Sequence, residues 1–157
     1  MRELPVRKNI RLHYDYSRAG YYFITICVKD KHELLWCESV GTRIARPPLS
    51  DIGKVIEKAI ENIPNIYQST TIAKYVIMPN HVHLIIQICD EYGRAMRVPT
   101  ISTIINQMKG YVSKQIGYSI WQKRFYDHII RDEAEYQRIW QYIDENPVKW
   151  DEDYYHN

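Results

Sequence analysis

The chain has 157 residues, 45% of them hydrophobic and 25% charged, and a formal net charge of +2, enough for one domain with a real core and too short for two comfortable ones. Its 14 Tyr, 4 Trp and 2 Phe exclude a disordered chain, because such chains lack aromatic and β-branched residues. No apolar run approaches the roughly 20 residues that span a bilayer, and no apolar h-region follows the charged N-terminus. Neither a membrane span nor a secretory signal is therefore expected, and the cytoplasm is the expected location.

Residues 1–20 carry five basic and two acidic side chains, and Arg7, Lys8 and Arg11 give them the look of a basic N-terminal arm. Tyr21 to Val28 (YYFITICV) is aromatic and β-branched, as a strand is. Ser50 to Ile63 opens on a capping Ser and spaces Ile52, Val55, Ile56, Ala59, Ile60 and Ile63 as one face of a helix, with Pro64 as its stop. Thr70 to Met78 and Val82 to Ile88 are two further strands, and Pro79-Asn80 between them predicts an antiparallel hairpin. A second helix runs from Thr100 to Ile116 with Gly117 ending it. Asp127 to Arg131 fits a short edge strand. Asp132 then caps a third helix that reaches Glu145, with Glu135 completing a capping box and Pro147 terminating it. This order predicts a single α+β domain over residues 1–157, mainly an antiparallel sheet with helices packed on it, and an acidic tail over 147–157.

Cys27, Cys37 and Cys89 are odd in number and never form C-x-x-C, which predicts three small buried hydrophobes in a reduced compartment. The near-neutral total charge conceals an uneven distribution. Residues 101–131 carry five basic side chains against one acidic, and residues 132–157 two basic against eight acidic. Such an asymmetry suits a localised site for an anionic ligand, and solvated faces produce it too.

His81 and His83 are two apart on a predicted strand, so their imidazoles share one face while Val82, Leu84 and Ile86 point to the core. Two imidazoles are half of a metal site, although H-x-H arises by chance in roughly one chain in five of this composition. Tyr142 and Asn146 are four apart on the last helix and share a face, whereas Tyr136, Ile139, Trp140 and Ile143 are turned toward packing. An amide oxygen at Asn146 is able to complete a site begun by the two His, with a Tyr hydroxyl one turn earlier near the metal. An ordinary helix stop at Asn146-Pro147 explains the same residues.

Three ordered motifs go further. V-I-M-P-N-H-V-H-L-I-I (Val76 to Ile86), W-Q-K-R-F-Y-D-H-I-I-R (Trp121 to Arg131) and Y-I-D-E-N-P-V-K-W (Tyr142 to Trp150) closely resemble the single-tyrosine HUH transposases, and among them the REP-associated tyrosine transposases. The resemblance begins at D-Y-S-x-A-G-Y-Y-F-I-T-I (Asp15 to Ile26) and covers most of the chain. It implies a ferredoxin-like HUH nuclease fold and a metal-dependent enzyme that nicks and joins single-stranded DNA beside hairpin or palindromic repeats, through a 5′-phosphotyrosine. By the same resemblance His81 and His83 bind a divalent ion, Tyr142 is the catalytic nucleophile and Asn146 is the third ligand, with Glu145 and His128 as neighbouring alternatives. Mg²⁺ or Mn²⁺ is the implied cofactor, and relatives occur as monomers and as homodimers.

That reading gives the basic segment a use. Lys109, Lys114, Lys123, Arg124 and Arg131 are expected to contact phosphates, together with Arg7, Lys8 and Arg11 of the arm. Tyr111, Tyr118 and Tyr126 offer faces for unstacked bases, and Trp121 and Phe125 are assigned to packing. Two rival readings are a domesticated hairpin-DNA-binding protein with little or no turnover, and a small metal-binding hydrolase in which Tyr142 only packs.

Overall fold

The computed structural model describes residues 20–37, 48–89 and 99–150. The arm with Arg7, Lys8 and Arg11 lies outside the described residues, as do Pro47, 90–98 and the end of the tail, 151–157. The elements in chain order are β1 (Gly20–Cys27), α1 (Asp51–Glu61), α2 (Ile63–Ile66), β2 (Thr70–Ile77), β3 (His81–Ile88), α3 (Ile101–Ile116), β4 (Tyr126–Ile130) and α4 (Glu133–Glu145). The four strands form one sheet in the order β2-β3-β1-β4, and every pair is antiparallel. This is the α+β architecture that the sequence predicts.

The two central strands are covered on both faces, which is why they are almost continuously apolar. Tyr22, Ile24 and Ile26 of β1 and Val82, Leu84 and Ile86 of β3 share one face and pack against Ile56, Ile60, Ile104, Ile105, Met108 and Val112 of α1 and α3. The opposite face presents Phe23 and Ile85 to Ile139 and Ile143 of α4. Fully burying an Ile is worth roughly 1.5–3 kcal/mol, so this pair fixes α4 across the sheet. Lys74 of β2 adds an edge clamp, with its Nζ 2.8 Å from Asp144 Oδ1 and 3.9 Å above the Trp140 ring.

The helix signals act as read, with refinements. Ser50 accepts from Gly53 N at 3.0 Å, Thr100 from Thr103 N at 3.1 Å, and Gly117 ends α3 at φ 95°. Asp132 accepts from Glu135 N at 2.8 Å, but the Glu135 carboxylate reaches one residue beyond the cap, to Arg131 N at 2.8 Å. Pro64 does not stop the helical path as expected. α1 ends at Glu61, and Pro64 sits in the first turn of α2, where its missing N–H leaves no partner unsatisfied. The three cysteines are free thiols, as read, but all are partly exposed and not the buried hydrophobes expected. Cys27 is the last residue of β1, and Cys37 and Cys89 lie in connections. Among the described residues no helix is long and apolar enough to cross a membrane.

Candidate active site

His81 and His83 lie side by side on β3, on the face that α4 covers, and both are 0% exposed. This is not a polar surface strand. Their Nε2 atoms stand 3.1 Å apart, while their Nδ1 atoms turn outward to separate oxygens, Asn80 Oδ1 at 2.7 Å for His81 and Thr25 Oγ1 at 2.8 Å for His83. An amide oxygen only accepts, so His81 Nδ1 carries the proton and Nε2 carries the lone pair. Thr25 Oγ1 is in position to accept from His83 Nδ1 in the same way. Two imidazoles held by outer oxygens, with both Nε2 atoms converging, have the orientation that metal-binding His pairs show. Burial, and then the neighbouring His83, lower the His81 pKa well below its ordinary value, and burial holds His83 down at about 3.

Register explains how the pair is positioned. Thr25 is opposite His83 and Cys27 is opposite His81 in the β1–β3 ladder. The tight β2–β3 turn closes with Met78 N donating to His81 O at 2.8 Å and leaves Asn80 2% exposed beside His81. Aromatic rings wall the pair. Phe23 stacks with His83 at 5.3 Å, and Trp150 lies 6.1 Å from His81. Trp150 is 3% exposed and clusters with Trp36 and Met78, so the residues directly after α4 cap the site and are not the start of a solvated tail.

From α4, Tyr142 sets its ring 5.3 Å from that of His83 and edge-on to Phe23 at 6.4 Å. One turn later Asn146 is 5% exposed and donates from Nδ2 to Tyr142 O at 3.0 Å. That bond leaves Asn146 Oδ1 buried with no hydrogen-bond partner among the described residues, a state that costs about 1–3 kcal/mol unless a cation or donor occupies the site. Two imidazole nitrogens, and one turn after Tyr142 an orphaned amide oxygen, are donors of the type that a divalent ion accepts. Among the described residues no three His, Cys, Asp or Glu side chains come together.

The two alternatives to Asn146 point elsewhere. Glu145 accepts from Lys149 Nζ at 2.8 Å and Gln141 Nε2 at 2.7 Å on the outer side of the helix. His128 lies opposite Phe23 in the β1–β4 ladder and is hydrogen-bonded to Glu135. Burial pushes the Glu135 carboxyl up, but the Arg131 N–H and His128 outweigh it and hold the group below the carboxylate range.

Of the basic candidates, Lys114, Lys123, Arg124 and Arg131 are exposed. Lys109 differs from the expectation of an open cation. It is 9% exposed and donates to Gln122 O at 2.9 Å and Lys123 O at 3.4 Å, so it anchors the connection between α3 and β4. Tyr111 and Tyr118 are exposed, Tyr126 is half-buried, and Trp121 and Phe125 pack on the core as expected. A cavity of about 710 Å³ along the β2 edge carries Glu57, Glu61 and Asp144, which repel phosphate. Sequence reasoning missed Thr25, Asn80, Phe23 and Trp150. The adjacency of Asn80 to His81 was a usable signal, and the other three depend on tertiary pairing.

No family model matches the chain. A Haemophilus influenzae protein described as uncharacterized is 36% identical over 94% of this chain and 91% of its own length. A second protein from the same organism, named “Putative REP-associated tyrosine transposase”, is 26% identical over 86% of this chain and 74% of its own. The chain is similar to the REP-associated tyrosine transposases. Its fold is that of solved transposases as well. A REP-associated tyrosine transposase solved in complex with a REP hairpin superposes with a TM-score of 0.65 at 23% identity, over 92% of this chain and 74% of that one. A Deinococcus radiodurans protein described as a “putative transposase” superposes with a TM-score of 0.50 at 16% identity, over 88% of this chain and 97% of that one.

Proposed function

We propose that this chain is a REP-associated tyrosine transposase, a metal-dependent enzyme that nicks and rejoins single strands of DNA beside hairpin or palindromic repeats, through a 5′-phosphotyrosine at Tyr142. One observation carries the reading: the Tyr142 ring stands 5.3 Å from His83, the partner of His81 in a pair of converging Nε2 atoms. Among relatives, one transposase is solved bound to a REP hairpin, which supports hairpin DNA as the ligand.

In this reading His81 Nε2, His83 Nε2 and Asn146 Oδ1 hold Mg²⁺ or Mn²⁺. When bound, the ion polarises the scissile phosphate as a Lewis acid, which a phenol of ordinary pKa near 10 needs in order to react at neutral pH. Tyr142 Oη attacks the phosphorus in line and the bond from phosphorus to the 3′ oxygen breaks. The phenolic proton leaves to solvent and the departing 3′ oxygen takes up a proton. A phosphotyrosine on the 5′ side and a free 3′-OH result. Attack by a 3′-OH on that phosphotyrosine reverses the exchange and releases the phenol, so no nucleotide hydrolysis is needed. Thr25 and Asn80 orient the imidazoles, Trp150 and Phe23 exclude water, and Lys114, Lys123, Arg124 and Arg131 contact phosphates, joined by Arg7, Lys8 and Arg11 of the arm.

The test is incubation of the full chain with labelled single strands that carry a hairpin and its flanking sequence, in Mn²⁺ or Mg²⁺, followed by a denaturing gel. A shortened strand and a slow-migrating protein adduct, both lost in chelator, are expected. Binding of the hairpin with neither product overturns the enzymatic reading in favour of a DNA-binding role without turnover.

A further inference from the structure

The residues around the α3–β4 connection line a second, open cavity of about 570 Å³, on the side of the sheet opposite α4. Among the described residues, Lys29, Lys109 and Lys123, Ser113 and Ser119, Gln122 and Trp121 line it, with no acidic side chain. Three observations mark it as built for a ligand. Lys109 is nine-tenths buried and its ammonium is fixed by two carbonyls of the lining, so a positive charge is held in place and not carried on a mobile stem. Trp121 is 4% exposed, yet its buried Nε1–H has no acceptor among the described residues, although buried indole N–H groups normally find one. Gly110 lies within α3, where glycine weakens a helix relative to alanine. A Cβ there would meet nothing within 4 Å, so packing inside the described chain does not account for it. An open backbone at the cavity wall is what close approach of a ligand requires.

Three ammonium groups and two hydroxyls offer donors, and a phosphate oxyanion is the ligand chemistry that accepts from all of them. The cavity is also tied to the candidate active site through the backbone. Trp121 bridges to Val28, Val28 N donates to Asn80 O at 2.9 Å, and Asn80 Oδ1 holds His81. Both sites therefore lie at one end of the sheet, where β1 ends and β3 begins, on opposite faces. We infer that this cavity binds a backbone phosphate of the DNA strand whose scissile phosphate lies at His81, His83 and Tyr142. The identity of the strand as DNA rests on the proposed function; the anion chemistry does not.

The experiment measures affinity of the full chain for a fluorescent single strand across a salt series, by anisotropy, for the wild type and for Lys29→Gln, Lys123→Gln and Gly110→Ala. Lys54→Gln, exposed on α1, is the control. Loss of one phosphate contact reduces the slope of log affinity against log salt by about 0.7 for a single strand. Lys29→Gln and Lys123→Gln are expected each to do so and to weaken binding severalfold. Gly110→Ala is expected to weaken binding at unchanged slope while raising the melting temperature, which no folding defect produces. Lys54→Gln is expected to change neither. Titration of inorganic phosphate in a calorimeter separates the sources. Phosphate binding that Gly110→Ala abolishes, with DNA affinity untouched, overturns the DNA assignment and leaves a free-anion site. Adduct formation and DNA affinity at wild-type level in all three variants overturn the cavity inference while the transposase reading stands. A wild type that binds phosphate but neither binds nor cleaves DNA overturns the strand assignment together with that reading.

Discussion

His81 and His83 bring their Nε2 atoms to 3.1 Å of each other, while Asn80 Oδ1 and Thr25 Oγ1 hold the opposite ring nitrogens. When both Nδ1 atoms carry the protons, both Nε2 lone pairs face one point that a cation can occupy; in the empty site a hydroxyl proton from Thr25 to His83 Nδ1 lets His83 Nε2–H donate to His81 Nε2 instead. The outer oxygens therefore do part of the work of metal binding. Thr25→Val keeps the shape of this buried residue and removes the acceptor for His83, so the Mn²⁺ affinity of the folded chain is expected to fall about 10–100-fold. Calorimetric titration with Mn²⁺ checks this, and an unchanged affinity would remove Thr25 from the account.

Asn146 joins two roles that substitution separates. Asn146→Ala deletes the orphaned Oδ1 and the Nδ2 bond to Tyr142 O. In the metal-free chain loss of the bond, about 1 kcal/mol, is offset by removal of the unsatisfied oxygen, so stability is expected to stay within about 1 kcal/mol of the wild type. Loss of a ligand is expected to lower Mn²⁺ affinity by an order of magnitude or more. Melting in chelator and calorimetric titration read the two effects independently, and a fall in stability alone would leave Asn146 as a helix cap.

Acid should unfold the metal-free chain through the two His. Burial lowers both folded-state pKa values, to about 3 for His83 and in the same direction for His81, whereas the unfolded imidazoles keep the usual value near 6.5. Between about pH 6.5 and pH 3 the unfolded state binds protons that the folded state refuses, so stability falls with falling pH in that window and is flat above it. The slope is at most about 1.4 kcal/mol per pH unit for each His. Urea melts in chelator at pH 7.5 and pH 5.5 are expected to show the loss, reduced in His83→Gln. Equal midpoints at the two pH values would contradict the burial of neutral imidazoles.

Lys74 couples the β2 edge to the helix that carries Tyr142. Its bridge to Asp144 and its position over Trp140 are partly exposed, so Lys74→Ala is expected to cost only about 0.5–1 kcal/mol. Strand cleavage should drop more than this stability loss explains if the clamp sets the pose of α4. Equal cleavage by wild type and variant would show that Ile139 and Ile143 position the helix by themselves.

The sequence made the elements and the ends of the site legible because each depends on local spacing. Strand alternation puts His81 and His83 on one face, and helix spacing puts Tyr142 beside Asn146. Thr25 was not legible, since its role depends on a register between strands 58 residues apart. Trp150 was hidden in a segment whose acidic composition implies solvation. Lys109 carried a signal that charge counting obscures. It is four residues after Ile105 and three before Val112, both buried, and that spacing sets it beside the apolar stripe of α3. The cysteines misled because residue type alone does not place a side chain at a strand end or in a connection.

The central claim is that Tyr142 becomes covalently joined to DNA. Peptide mapping by mass spectrometry, after incubation of the wild type with hairpin-bearing single strands and Mn²⁺, is the most direct measurement. The account predicts a nucleotide-phosphate mass on the peptide containing Tyr142. It also predicts its disappearance in Tyr142→Phe, a variant whose ring still packs on Phe23 and His83 and which should melt within about 1 kcal/mol of the wild type. An adduct that persists in Tyr142→Phe, or one that maps to another tyrosine, would contradict it.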